Sequence, residues 1–137
     1  MATYADVLAM NLRAARARRG LDQEPLAARM RALGYSAWRR QTVANVEKGA
    51  RRLTAEEMLG LAVALETSLV GLLEPVMDDK MIEMPSGHAI PVIVVHELIW
   101  GGSEYSVTWQ GEIPAFPADR LPETRGYALP PPRMRRR

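Results

Sequence analysis

The sequence predicts a mainly α-helical domain followed by a small β-containing appendage. Apolar residues recur at helical spacing through the first half of the chain, and a glycine follows most of the helical stripes. After Pro75 the pattern changes to short alternating runs bounded by Pro and Gly. At 137 residues and 47% hydrophobic composition the chain has enough apolar material for a packed core.

Each helix follows from its own punctuation. Leu8, Leu12 and Ala15 form one stripe, closed before Gly20. Asp22 is placed to cap a second helix with Leu26, Met30 and Leu33 on its inner face and Gly34 just beyond its end. Pro25 falls in its first turn, where a missing N–H costs nothing. A third helix turns Val43 and Val46 inward and stops at Gly49. The fourth is the best delimited: Thr54 and Glu57 make a capping box, and Met58, Leu61, Ala62 and Leu65 follow at i, i+3, i+4, i+7. Ser68 opens a short fifth helix over Leu69 to Leu73, closed by Pro75.

The appendage is less sharply written. Met81 to Met84 alternates as a strand, Pro85-Ser86-Gly87 signals a turn, and Tyr105 to Trp109 suits a second strand. Val92 to Val95 is β-branched. Pro91 before it and Gly101 behind Trp100 fit helix ends, however, and the balance favours a helix. Prolines recur from Pro117, including Pro130-Pro131-Pro132, and Arg135-Arg136-Arg137 follows, which suggests a mobile basic tail. The expected organisation is a helical domain over 1–75, a mixed appendage over 76–116 and a tail over 117–137.

The net charge of +2 conceals segregation along the chain. Residues 13–52 hold ten Arg and Lys48 against Asp22, Glu24 and Glu47, a balance of +8. Residues 53–119 hold Lys80 against eleven acids, a balance of −10, and residues 120–137 return to +5. A basic block inside a helical region is the footprint of a polyanion-binding face, or else of an ordinary solvated one.

Other chemistry is poorly supported. There is no cysteine, so disulfides, thiolate zinc sites and cysteine nucleophiles are excluded. His96-Glu97 begins like a zinc-protease signature, but Trp100 stands where the second histidine belongs, and His88 is the sole other histidine. No phosphate loop, nucleophile elbow or paired carboxylate stands out. The expectation is a non-enzyme without cofactor or metal. No run is long enough to span a bilayer and no signal sequence opens the chain, so a cytoplasmic protein is expected.

Three stretches carry a resemblance to a known family. They are Leu12-Arg13-Ala14-Ala15-Arg16 leading to Gly20-Leu21-Asp22-Gln23 and Leu26-Ala27; Gln41 through Gly49; and Leu53-Thr54 through Leu59, Ala62, Leu65, Ser68-Leu69 and Leu72-Leu73. Together, over roughly residues 8–75, they resemble the phage-repressor/Cro-like helix-turn-helix family, also called XRE. The resemblance implies a five-helix repressor-like domain that binds double-stranded DNA, acting as a homodimeric repressor on a pseudo-palindromic operator. The alternative is an antitoxin or immunity-type protein that binds a protein partner through the appendage. The appendage itself is open to four uses: dimerisation, partner binding, ligand sensing, or completion of the core.

A groove-reading helix needs an apolar edge to anchor it and long polar side chains opposite. Val43 and Val46 supply the anchor. Arg40, Gln41, Ala44 and Asn45 match the family's base-facing positions, and Arg39 and Thr42 adjoin them. Arg pairs with guanine and Gln or Asn with adenine, whereas Ala44 offers a methyl contact to thymine. The resemblance implies phosphate contacts from Gln23, at the start of helix two, and from Lys48, Arg51 and Arg52. It also pairs Arg16 with Glu47 between helices one and three, with ordinary surface charges as the alternative.

One departure is visible. From Leu26 to Gly49 the chain is about six residues longer than the compact family pattern. The surplus lies in Arg31 to Arg39. An extended second helix and a longer turn are expected, with Trp38 packed as a plug at the third helix's N-terminus.

Overall fold

The computed structural model describes residues 1–76, 79–101 and 107–116 of the chain. It divides into two compact units, residues 5–76 and a second unit built from residues 1–4 and the chain from 77 onward.

The first unit contains the five expected helices: α1 (Tyr4–Arg18, whose first residue falls in the second unit), α2 (Gln23–Ala32), α3 (Arg40–Glu47), α4 (Ala55–Ala64) and α5 (Leu69–Leu73). One core joins them. Leu12 and Ala15 of α1, Leu26, Ala27 and Met30 of α2, Val43 and Val46 of α3, and Leu61 and Leu65 at α4 are buried in a single cluster with Trp38 and Leu72. The capping box forms as expected, Thr54 Oγ1 accepting from the Glu57 N–H and Glu57 Oε1 accepting from the Thr54 N–H. Ser68 caps α5 through the Gly71 N–H. Past the end of α3 the chain turns through Gly49 at φ +71°, a left-handed conformation that an L side chain resists.

The structure corrects three expectations here. Asp22 occupies the N-cap position of α2, but its side chain makes no capping hydrogen bond. Leu33 is 45% exposed rather than inward: it is the C-cap residue of α2, at the margin of the core. Nor is α2 extended through the surplus residues: Gly34, at φ +102°, turns the chain, and beyond Ala32 they form turns leading to α3. Tyr35 from this stretch lies against α4 at Gly60, where a Cβ would come within 2.7 Å of the Tyr35 ring. A glycine inside a helix is costly, and this close approach explains its presence.

The second unit holds a three-stranded sheet in the order β1 (Ala2–Thr3), β2 (Met81–Glu83), β3 (Ala89–Pro91). β1 runs parallel to β2, with Ala2 opposite Ile82, and β2 and β3 form an antiparallel hairpin closed by the expected turn. Residues 1–4 therefore group with the appendage. The stretch after Pro91 is a helix, α6 (Val92–Trp100), ended by Gly101 at φ +67°; its Val94 and Val95 are buried, as are Met81, Ile82 and Ala89. A second hairpin pairs β4 (Thr108–Gln110) with β5 (Ile113–Ala115). The expected strand from Tyr105 begins later, at Thr108, with Tyr105 and Ser106 outside the described residues, as is the tail from Pro117. Among the described residues no helix is long and apolar enough to cross a membrane.

Candidate nucleic-acid interface

α3 is amphipathic in the required sense. Val43 and Val46 are buried, whereas Arg40 and Gln41 are exposed and Ala44 and Asn45 are half-exposed on the outer side. The Gln41 amide donates to Asn45 Oδ1 at 2.9 Å. That oxygen keeps a second lone pair and the Asn45 amide keeps both N–H groups, so Asn45 remains equipped to pair with the edge of an adenine.

The C-terminal end of α3 is fixed by Glu47, only 6% exposed. Arg16 Nε donates to its Oε1 at 2.6 Å and Arg16 Nη2 to Oε2 at 3.3 Å, which gives the paired geometry expected of these two residues. Gln23 Nε2 donates to the same Oε2 at 3.0 Å, and Arg13 donates to the Glu47 carbonyl at 2.6 Å. Helices α1 and α2 thus both grip the last turn of α3.

The N-terminal end is held through the surplus segment. Trp38 is 2% exposed, as a plug would be, and its indole N–H donates to Glu57 Oε2 at 2.9 Å. Arg51, in the loop after α3, donates to that same oxygen at 2.7 Å and places its guanidinium 5.1 Å from the centroid of the Trp38 ring. Arg31 and Arg39 each donate to the Trp38 carbonyl at 2.9 Å.

Burial pushes the Glu57 carboxyl up, but hydrogen bonds from Arg51, the Thr54 backbone and Trp38, with the charge of Arg51, outweigh it and hold the group down at about 2. A depressed carboxylate contributes stability that is complete above its ordinary value of 4.5 and drains away as pH falls towards 2. Acid titration of the unfolding free energy should therefore show a steeper decline for the wild type than for Glu57→Gln between pH 4.5 and about 2. Parallel curves would disprove this.

The basic block divides into two sets. Arg13, Arg16, Arg19, Arg29, Arg31, Arg39 and Arg51 donate to groups of the protein itself. Arg19 and Arg29 do so at the C-terminal end of α4, on the carbonyls of Leu65 and Ala64. Among the described residues, the side chains of Arg18, Arg40, Lys48 and Arg52 have no such partner. Of these four, Arg40 opens α3 and Lys48 and Arg52 follow it.

The candidate contacts divide in the same way. Arg40, Gln41, Ala44 and Asn45 lie on α3 away from its buried edge, and Lys48 and Arg52 are exposed in the chain that follows it. Gln23, Arg39, Thr42 and Arg51 are engaged internally, with Thr42 Oγ1 accepting from the Arg39 N–H at 3.0 Å. Sequence reasoning missed Asn11, a buried side chain whose amide donates to the carbonyls of Leu72 at 2.9 Å and Glu74 at 2.7 Å. The signal was present: position 11 lies on the same helical stripe as Leu8, Leu12 and Ala15, where a polar residue needs a partner.

In comparisons with known proteins, a family model described as helix-turn-helix matches residues 12–72. No curated protein and no solved structure matches the chain.

Proposed function

Because residues 12–72 form a domain of the XRE-type helix-turn-helix family, the family of DNA-binding transcription regulators, we propose that the chain regulates transcription by reading a specific duplex sequence with α3. The carrying observation is the disposition of α3. Its apolar edge is locked into the core, its outer edge bears Arg40, Gln41 and Asn45, and Lys48 and Arg52, without a protein partner among the described residues, follow its C-terminal end. Arg40, Gln41 and Asn45 are the base readers, Ala44 a methyl contact, and Lys48 and Arg52 the phosphate contacts. Gln23, Arg39, Thr42 and Arg51 adjoin this face and act mainly by shaping it.

The regulator acts as a repressor by occupying its operator as a homodimer, because two such helices about 34 Å apart read a pseudo-palindrome. Exposed aromatics in the second unit, Trp100 at 65% and Trp109 at 68%, support a contact role for the appendage. They equally support the second reading, a protein partner bound through that unit.

Selection of duplexes from random DNA, followed by salt-titrated gel shifts, tests the proposal. Alanine at Arg40, Gln41 or Asn45 is expected to cost about 1–3 kcal/mol each on the selected site and little on random DNA. Alanine at Lys48 or Arg52 should weaken both alike and reduce the salt slope by about one. Equal losses on both kinds of DNA from the two groups of substitutions would refute the assignment of readers.

A further inference from the structure

We infer that Glu57 is a positioning residue for DNA readout: with Trp38 and Arg51 it forms a clamp that sets the pose of α3. The inference rests on the proposal that α3 reads DNA. Glu57 lies on α4 and has no part in the outer face of α3. Its Oε2 nevertheless receives one hydrogen bond from each side of that helix, from Trp38 two residues before α3 begins and from Arg51 four residues after it ends. Its Oε1 is occupied by the Thr54 N–H at the start of α4. One carboxylate thus ties both flanks of the reader helix to the first turn of the next.

The stacking of Arg51 on Trp38 closes the arrangement into a triangle. Arg31 and Arg39 brace the same point from the backbone side, on the Trp38 carbonyl. The clamp uses the surplus residues, which supply Trp38 and lengthen the approach to α3; without a brace that longer approach would leave the N-terminal turn of α3 loosely placed. Arg40 and Gln41, two of the three base readers, stand on that turn. Readout depends on placing such groups within fractions of an ångström, so a loosened turn costs discrimination before it costs general affinity for phosphate.

The clamp also gives Arg51 a role different from that of Arg52. Arg51 is spent on Glu57, and its guanidinium acts through α3 rather than on a phosphate. Removing it should resemble removing the Glu57 charge.

Glu57→Gln is the informative substitution. Gln keeps an oxygen for the Thr54 N–H but turns an N–H₂ towards two donors, Trp38 and Arg51. Using the full chain, binding is measured to the duplex selected by the wild type and to random duplex across a salt series, for Glu57→Gln, Arg51→Ala, the double variant and Arg52→Ala.

Glu57→Gln and Arg51→Ala should each lower the selected-to-random affinity ratio by about tenfold, with the double variant no worse than either. Their salt slopes should match the wild type, and only Arg52→Ala should flatten. Far-ultraviolet circular dichroism reports that the domain is folded, and should Glu57→Gln melt at the assay temperature, Arg51→Ala alone is judged by the same criteria. An unchanged ratio in the clamp variants overturns the inference alone, as does a flattened slope in Arg51→Ala or a double variant that loses the product of the single effects. A wild type that selects no sequence overturns the DNA-reading proposal together with it.

Discussion

Glu47→Ala is expected to destabilise the folded domain by about 3–5 kcal/mol, because it removes one half of an ion pair and leaves the other behind. Arg16, whose side chain is 18% exposed, would keep only its bond to the Leu21 carbonyl, and Gln23 would lose its acceptor. The partial exposure of Arg16 lets water recover some of the loss, which favours the lower part of that range. The double change Arg16→Met/Glu47→Leu removes both charges and should be more stable than the single variant, since neither partner is then stranded. Chemical denaturation of the three proteins decides it: a single variant as stable as the double would show that the pair does not act as a unit.

The second large effect is expected from Trp38→Ala, at about 3–5 kcal/mol. The indole fills a fully buried position in the core cluster, so its removal opens a cavity as well as deleting contacts. It also strips one donor from Glu57 and the ring from beneath Arg51. Trp38→Phe separates these contributions, since it keeps much of the volume and loses the N–H; a loss of about 1–3 kcal/mol is expected for an acceptor that retains its other two donors. Thermal or denaturant melts in which Trp38→Ala costs no more than Trp38→Phe would show that the position can collapse around the missing ring.

Much of this fold could be read from the sequence because its helices end on residues with a local physical reason to end there. Gly20 and Gly49 follow α1 and α3 at positive φ, and the Thr54–Glu57 box opens α4. These signals need nothing from the rest of the chain. Leu33 shows where such reasoning stops: its spacing fits the stripe of Leu26 and Met30, but as the C-cap of α2 it lies past the part of that stripe the core covers. The run Val92 to Val95 was undecidable by periodicity alone, and Pro91 settles it by closing a strand and opening α6 at once. The two-residue strand at Ala2–Thr3 had no local signal, since its partner lies about eighty residues away.

The site was legible in position and less so in role. The outer face of α3 follows from the inward turn of Val43 and Val46, and the structure places those side chains as the pattern requires. The surrounding basic residues were a different matter. Charge counting treats every Arg alike, whereas seven of those in the basic block are consumed by carbonyls and carboxylates of the protein. Which ones are left for a polyanion is a question of tertiary contacts, and sequence spacing carries no information about it.

The amide of Asn11 bears on how the helical domain is to be excised. Its two acceptors, on Leu72 and Glu74, lie at the very end of α5. A fragment cut to the family boundaries of 12–72 would discard the donor and one acceptor together, leaving the last turn to fray. The shortest piece that keeps this latch intact runs from Asn11 to Glu74, longer at both ends than the matched stretch.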